Sequence, residues 1–109
     1  MNLKLSQVIA AGLYLVASFV ATAQDAAPQG KLTDNPIYQK QCAKCHGKDA
    51  KGRWLGGPSL ISEKVAAASN NHLNHIINNG KGRMPKYRQK LTPQEIEDLV
   101  YQIAGDNQK

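Results

Sequence analysis

A chain of 109 residues has room for one domain and no more. It carries 14 Lys and Arg against 8 Asp and Glu, a formal +6, yet it contains no nucleic-acid recognition element, so its basic charge points to another kind of partner. Only two cysteines are present, which excludes a four-ligand zinc site built from two separated cysteine pairs.

In chain order, Lys4 is the only charge before Asp25, Val8 to Val20 is an apolar run, and Ala21-Thr22-Ala23 fits the small-x-small rule for signal peptidase. Residues 1–23 therefore read as a signal peptide cut after Ala23. The alternative is an uncleaved membrane anchor, because Leu5 to Ala23 is uncharged and nearly long enough to span a bilayer, although its apolar block is short for that role. Either way the domain is exported. Removing 23 of 109 residues leaves 86, a length that buries a thin core and usually needs a staple such as a metal or a large cofactor. Residues 24–34 are polar with Ala, Pro and Gly and read as a flexible lead, so the domain is expected over residues 35–109.

Asp34 or Asn35 can cap a helix whose first position is Pro36. Ile37, Tyr38, Gln41, Cys42 and Cys45 recur at helical spacing, which sets Tyr38 and Cys42 on one face, and Gly47 ends the helix. Cys42-Ala43-Lys44-Cys45-His46 lies at its end and holds both cysteines. Its spacing is that of covalent c-type haem attachment: each sulfur can add to one vinyl group of the porphyrin, and the His46 imidazole can reach iron from the tethered side. A Cys42 to Cys45 disulfide or a thioredoxin-like pair would use the same residues, but the latter wants a preceding strand and a βαβ context that the flanking sequence lacks. Export fits haem attachment, which in bacteria takes place on the outer face of the cytoplasmic membrane. A buried haem would also be the staple, offering a flat apolar surface and cross-linking distant segments.

Residues 48–59 are rich in glycine and read as an irregular loop. A backbone carbonyl of Gly56-Gly57-Pro58 can accept the Nδ1 hydrogen of His46 and leave Nε2 for iron. Arg53 and Trp54 are candidates for bonds to haem propionates; the plainer alternative makes Trp54 core and Arg53 solvated. Leu60-Ile61 can begin a turn of helix. A clearer helix follows over residues 70–79, capped by Ser69 and closed by Gly80, with Leu73, Ile76 and Ile77 as its apolar stripe. His72 and His75 flank that stripe; without carboxylate or cysteine partners they read as surface residues rather than metal or rival haem ligands. Met84 is the only methionine beyond residue 23 and sits in a loop of Gly and Pro, where a gap-filling core methionine is not expected. A thioether is a known partner for a haem iron held by histidine, so the pair is His46 and Met84. The last helix starts at a Thr92 and Glu95 capping box with Pro93 at its first position, ends at Gly105, and presents Ile96, Leu99, Val100 and Ile103 as a stripe for the N-terminal helix. No internal repeat and no strand-like alternation is visible.

The order of Tyr38, Cys42 to His46, Gly57-Pro58-Ser59-Leu60, Asn79-Gly80 and Met84-Pro85 ahead of a capped terminal helix resembles the small bacterial class I cytochromes c. The resemblance covers residues 35 to 105. It implies an all-α class I cytochrome c fold, three main helices and loops wrapped around one covalently attached haem c, with the N- and C-terminal helices crossing. It also implies attachment through Cys42 and Cys45, axial ligands His46 and Met84, and the Pro58 carbonyl turned toward His46. The chain departs from the family in one respect: Asn35 to Gln41 has no glycine where the crossing helices often meet.

A haem with both axial positions filled leaves no site for a small-molecule substrate, so the expected function is one-electron transfer between redox proteins in the periplasm. The alternatives are a haem enzyme or gas-binding protein with a labile Met84, and a small electron-transfer subunit of a larger oxidoreductase. Residues 40–90 hold eleven Lys and Arg against Asp49 and Glu63, a formal +9, whereas residues 91–109 come to −3. That asymmetry predicts an acidic redox partner docking at a basic haem edge, more weakly as salt rises. Nucleic acid is not an expected partner, and a membrane is one only if the N-terminal segment stays uncut.

Overall fold

The computed structural model describes residues 30–108, together with the isolated positions Gly12 and Ser18. The expected signal peptide and residues 24–29 of the expected lead otherwise lie outside the described residues. The end of that lead is folded. Leu32–Asp34 forms a 3-10 turn, Leu32 is fully buried, and its N–H donates to Asp106 Oδ2 at 3.0 Å. Ordered structure thus starts ahead of Asn35, because a single leucine within a polar stretch is enough to seat the segment once a pocket exists for it.

Asn35 caps the next helical run: its Oδ1 accepts from the Ile37 N–H at 2.8 Å, with Pro36 between them. Tyr38–Cys42 is a π turn, closed by the Ala43 N–H on the Tyr38 carbonyl, and it leads directly into α1, Ala43–His46. A π turn absorbs one extra residue and marks functional segments more often than chance. Tyr38 and Ala43 are both buried, and Cys42 is half-buried against the core.

After the irregular segment 47–62 comes a short α2, Glu63–Ala66, where Ser62 Oγ accepts from the Val65 N–H at 3.2 Å; it starts beyond the expected Leu60-Ile61. Helix α3, Asn70–Asn79, has the predicted bounds, with the Ser69 cap at its start and Gly80 at φ +74° at its end. Helix α4, Pro93–Asp106, opens with the full Thr92 and Glu95 capping box but runs through Gly105. Asn107 closes it, its Nδ2 donating to the carbonyls of Ile103 at 2.8 Å and Leu60 at 2.7 Å.

The core is the α3 face of Leu73 and Ile77, the α4 stripe of Ile96, Leu99, Val100 and Ile103, and Leu32, Tyr38, Tyr87 and Leu91 between them. Helix α4 packs on α3 and on the Leu32–Asp34 turn. The N-terminal run meets α4 through a polar pair, with Asn35 Nδ2 donating to Oε1 of the buried Gln102 at 2.7 Å. Among the described residues the only β pairing is an isolated bridge between Lys81 and Met84, so the fold is all-α.

Candidate functional site

His46, the last residue of α1, is buried and held by the loop that follows. Its Nδ1 lies 2.7 Å from the Pro58 carbonyl. A carbonyl can only accept, so Nδ1 carries the hydrogen and Nε2 the lone pair. Gly57 backs the imidazole so closely that a Cβ on it would stand 2.7 Å from Cε1 and 2.8 Å from Nδ1. Only glycine leaves room for the ring in this place. The same loop satisfies the carbonyls at the end of α1: Arg53 Nη1 donates to Lys44 O at 2.7 Å, the Gly57 N–H to Cys45 O at 2.6 Å, and the Gly52 N–H to His46 O at 2.7 Å.

Neither cysteine forms a disulfide; Cys45 is exposed and Cys42 half-buried. Before haem is attached, burial, with the neighbouring Cys45 adding to it, pushes the Cys42 thiol up to about 11. Tyr38, fully buried, donates its hydroxyl to the Gly47 carbonyl at 2.6 Å. Burial chiefly, then Cys42 and Asp49, pushes its phenol up to about 12.

Met84 is half-buried against the core, and its backbone is pinned by reciprocal bonds with Lys81, 2.9 Å from the Met84 N–H and 3.2 Å to its carbonyl. Tyr87 ties that loop to the motif. Its hydroxyl donates to the Gln41 carbonyl at 3.0 Å, and its phenol is pushed up by burial first and then by Cys42 and Cys45, both within electrostatic reach. The residues fit a c-type haem in their chemistry: two unpaired thiols, an imidazole with its tautomer set, a thioether on a braced loop, and a glycine that clears the ring.

Arg53 is not merely solvated, given its bond to Lys44 O, and Trp54 is not core, because it is 92% exposed. His72 and His75 are exposed, and His75 Nδ1 lies 3.2 Å from Asn79 Nδ2. Four roles were not expected from the sequence: Gly57 as the backing of the ring, Gly52 and Arg53 as partners of α1 carbonyls, and Tyr87 as a tie. The doubled glycine ahead of Pro58 was a usable sign of close approach. Tyr87 had none beyond its place after Met84-Pro85.

A family model described as cytochrome C oxidase, cbb3-type, subunit III matches residues 33–101. The chain belongs to that family of c-type cytochromes. Among its relatives is cytochrome c-551 of Bacillus subtilis (strain 168), 43% identical over 51 residues, which are 46% of this chain and 42% of that protein. Another is the cbb3-type cytochrome c oxidase subunit CcoP of Rubrivivax gelatinosus, 36% identical over 61 residues, or 53% of this chain and 20% of that one. The cytochrome thus spans less than half the length of either. The solved KustC0563 c-type cytochrome superposes with a TM-score of 0.59 at 26% identity, covering 71% of this chain and 98% of that one. The fold is that of class I, and as a member of the family the cytochrome carries covalently bound haem c.

Proposed function

We propose that this cytochrome is an exported monohaem one-electron carrier between redox proteins. Cys42 and Cys45 hold the haem by thioether bonds, and Nε2 of His46 with Sδ of Met84 ligate the iron. The observation that carries this reading is the bond from His46 Nδ1 to the Pro58 carbonyl, which leaves Nε2 as the imidazole's one ligating atom. Bound there, haem supplies reversible one-electron exchange at its iron. Pro58 and Gly57 fix the imidazole plane, and the Lys81 bridge together with Tyr87 fixes the Met84 loop, so the residues that would hold the iron would need little rearrangement when it gains or loses an electron. Such constancy suits a carrier better than an enzyme, which needs an open position on the metal. Arg53 and Trp54, on the loop next to the motif, are the proposed donors to the propionates.

Residues 1–23 act in this reading as a signal peptide cleaved after Ala23, which delivers the domain to the periplasm. Among the described residues no helix is long and apolar enough to cross a membrane. The +9 of residues 40–90 favours an acidic partner at the haem edge. A second reading, an electron-transfer subunit of a larger oxidoreductase, draws on the likeness to CcoP.

The test is expression beside a haem-attachment system. A Soret band that survives acid and acetone extraction is expected, and its loss would refute covalent attachment. Rapid carbon monoxide binding to the native ferrous protein at neutral pH would instead favour an enzyme or gas-binding protein with a labile Met84. Co-purification in a stable membrane complex from the source bacterium would favour the subunit.

A further inference from the structure

Two large apolar side chains of this loop stand in solvent, Trp54 at 92% exposure and Leu55 at 78%. They are the central residues of a β-turn closed by the Gly56 N–H on the Arg53 carbonyl at 2.9 Å. Leu55 has φ +64°, the left-handed conformation that turns usually assign to Gly or Asn. Glycine lies on either side of this pair, at 52 and at 56, yet the position that needs positive φ holds leucine. Strained backbone and exposed apolar area both destabilise a monomer, and side chains kept in that state point to a contact made elsewhere.

The base of the turn is rigid. Lys44, Cys45 and His46 offer three successive carbonyls to Arg53 Nη1, Gly57 N–H and Gly52 N–H, so the tip has a set position relative to the haem-attachment motif. Lys44, Lys48, Lys51 and Arg53 are exposed around it, and Asp49 is the one acid between residues 44 and 55.

We infer that Trp54 and Leu55 form an apolar anchor by which the cytochrome binds an acidic redox-partner protein, seated in an apolar pocket ringed by carboxylates. The inference rests on the carrier reading and adds to it what the partner must offer. Lysines and Arg53 steer the approach; the two apolar side chains, once desolvated, set how long the complex lasts. A second copy of the chain is disfavoured by like charge. A lipid surface is disfavoured because one tight turn buries far less apolar area than the amphipathic helices that hold peripheral proteins. A propionate bond through the indole N–H would use only the ring's edge and leave its faces for the partner.

The experiment follows electron exchange between the holo-cytochrome and detergent-solubilised membrane oxidoreductases of the source bacterium, by stopped flow at low and high salt. Leu55→Gly is expected to lower the second-order rate about fivefold and Trp54→Ala about tenfold, as for residues at the centre of an interface. Both ratios to wild type should be the same at either salt concentration, since salt screens charge and not apolar contact. Trp54→Phe, which keeps an aromatic ring, should lose less of the rate than Trp54→Ala. Leu55→Gly should melt no lower than wild type and be reduced by ascorbate at the normal rate. Unchanged exchange in Leu55→Gly and Trp54→Ala would overturn the anchor. So would a loss confined to binding of phosphatidylglycerol vesicles, or to self-association, with exchange intact. If the wild type is reduced by ascorbate but exchanges nothing with the membrane enzymes, the carrier reading itself fails and takes the anchor with it.

Discussion

His46 is constrained on two sides by main chain, which makes the site sensitive to a single methyl group. Gly57→Ala would place Cβ 2.7 Å from Cε1, so the ring must shift and its bond to Pro58 lengthen. The expected cost is about 1–3 kcal/mol in denaturant unfolding, with a changed haem spectrum, in line with overpacking elsewhere. Met84→Ala should lower the reduction potential and let the iron bind imidazole or carbon monoxide, because thioether favours the ferrous state. An unchanged potential in that variant refutes Met84 as ligand. Tyr38 gives a pH signature. Its phenol is held up at about 12 against an ordinary 10, so its contribution to stability is complete below pH 10 and is lost as pH rises through 12. Tyr38→Phe should flatten the fall of the urea midpoint over that interval. At this scale the sequence was informative wherever chemistry requires a residue type. The motif supplied the proposed attachment thiols and imidazole, and isolation in a Gly and Pro loop singled out Met84 as the proposed second ligand. It was silent on Leu55, whose φ arises from the turn as a whole.

Helices were legible in proportion to how local their signals are. The ends of α3 and the start of α4 were readable because Ser69 and the Thr92 and Glu95 box make bonds within three residues of themselves. Thr92→Ala should therefore cost about 1 kcal/mol, read as a lower urea midpoint with the haem spectrum unchanged. The end of α4 was misplaced at Gly105 because Asn107 caps it through a contact with Leu60, 47 residues away, which no local pattern reveals. The same holds for Gln102 and Leu32, buried by partners at the other end of the domain. The π turn escaped notice for a different reason. Its residues have ordinary helical propensity, and only the five-residue bond from the Ala43 N–H to the Tyr38 carbonyl sets it apart.

The sequence is electrically lopsided, with the basic excess in the segments that supply the proposed haem site and four of the eight acids in α4. Reduction by the native donor should slow steeply as salt rises, since the field that steers encounter decays within about 10 Å at 0.1 M salt. A flat salt dependence would remove charge from the docking account.

The burial of Leu32 also sets a length. With Leu32 locked into the core, only residues 24–31 separate the expected cleavage point from the folded body, eight residues in all. Fully extended, that leash reaches about 27 Å. A chain left uncut at Ala23 would keep its haem domain within that height of the bilayer and serve only partners whose sites face the membrane at the same level. Under the proposed function, hydrolysis of one peptide bond would release the domain to diffuse, so processing would choose between a tethered shuttle and a roaming one.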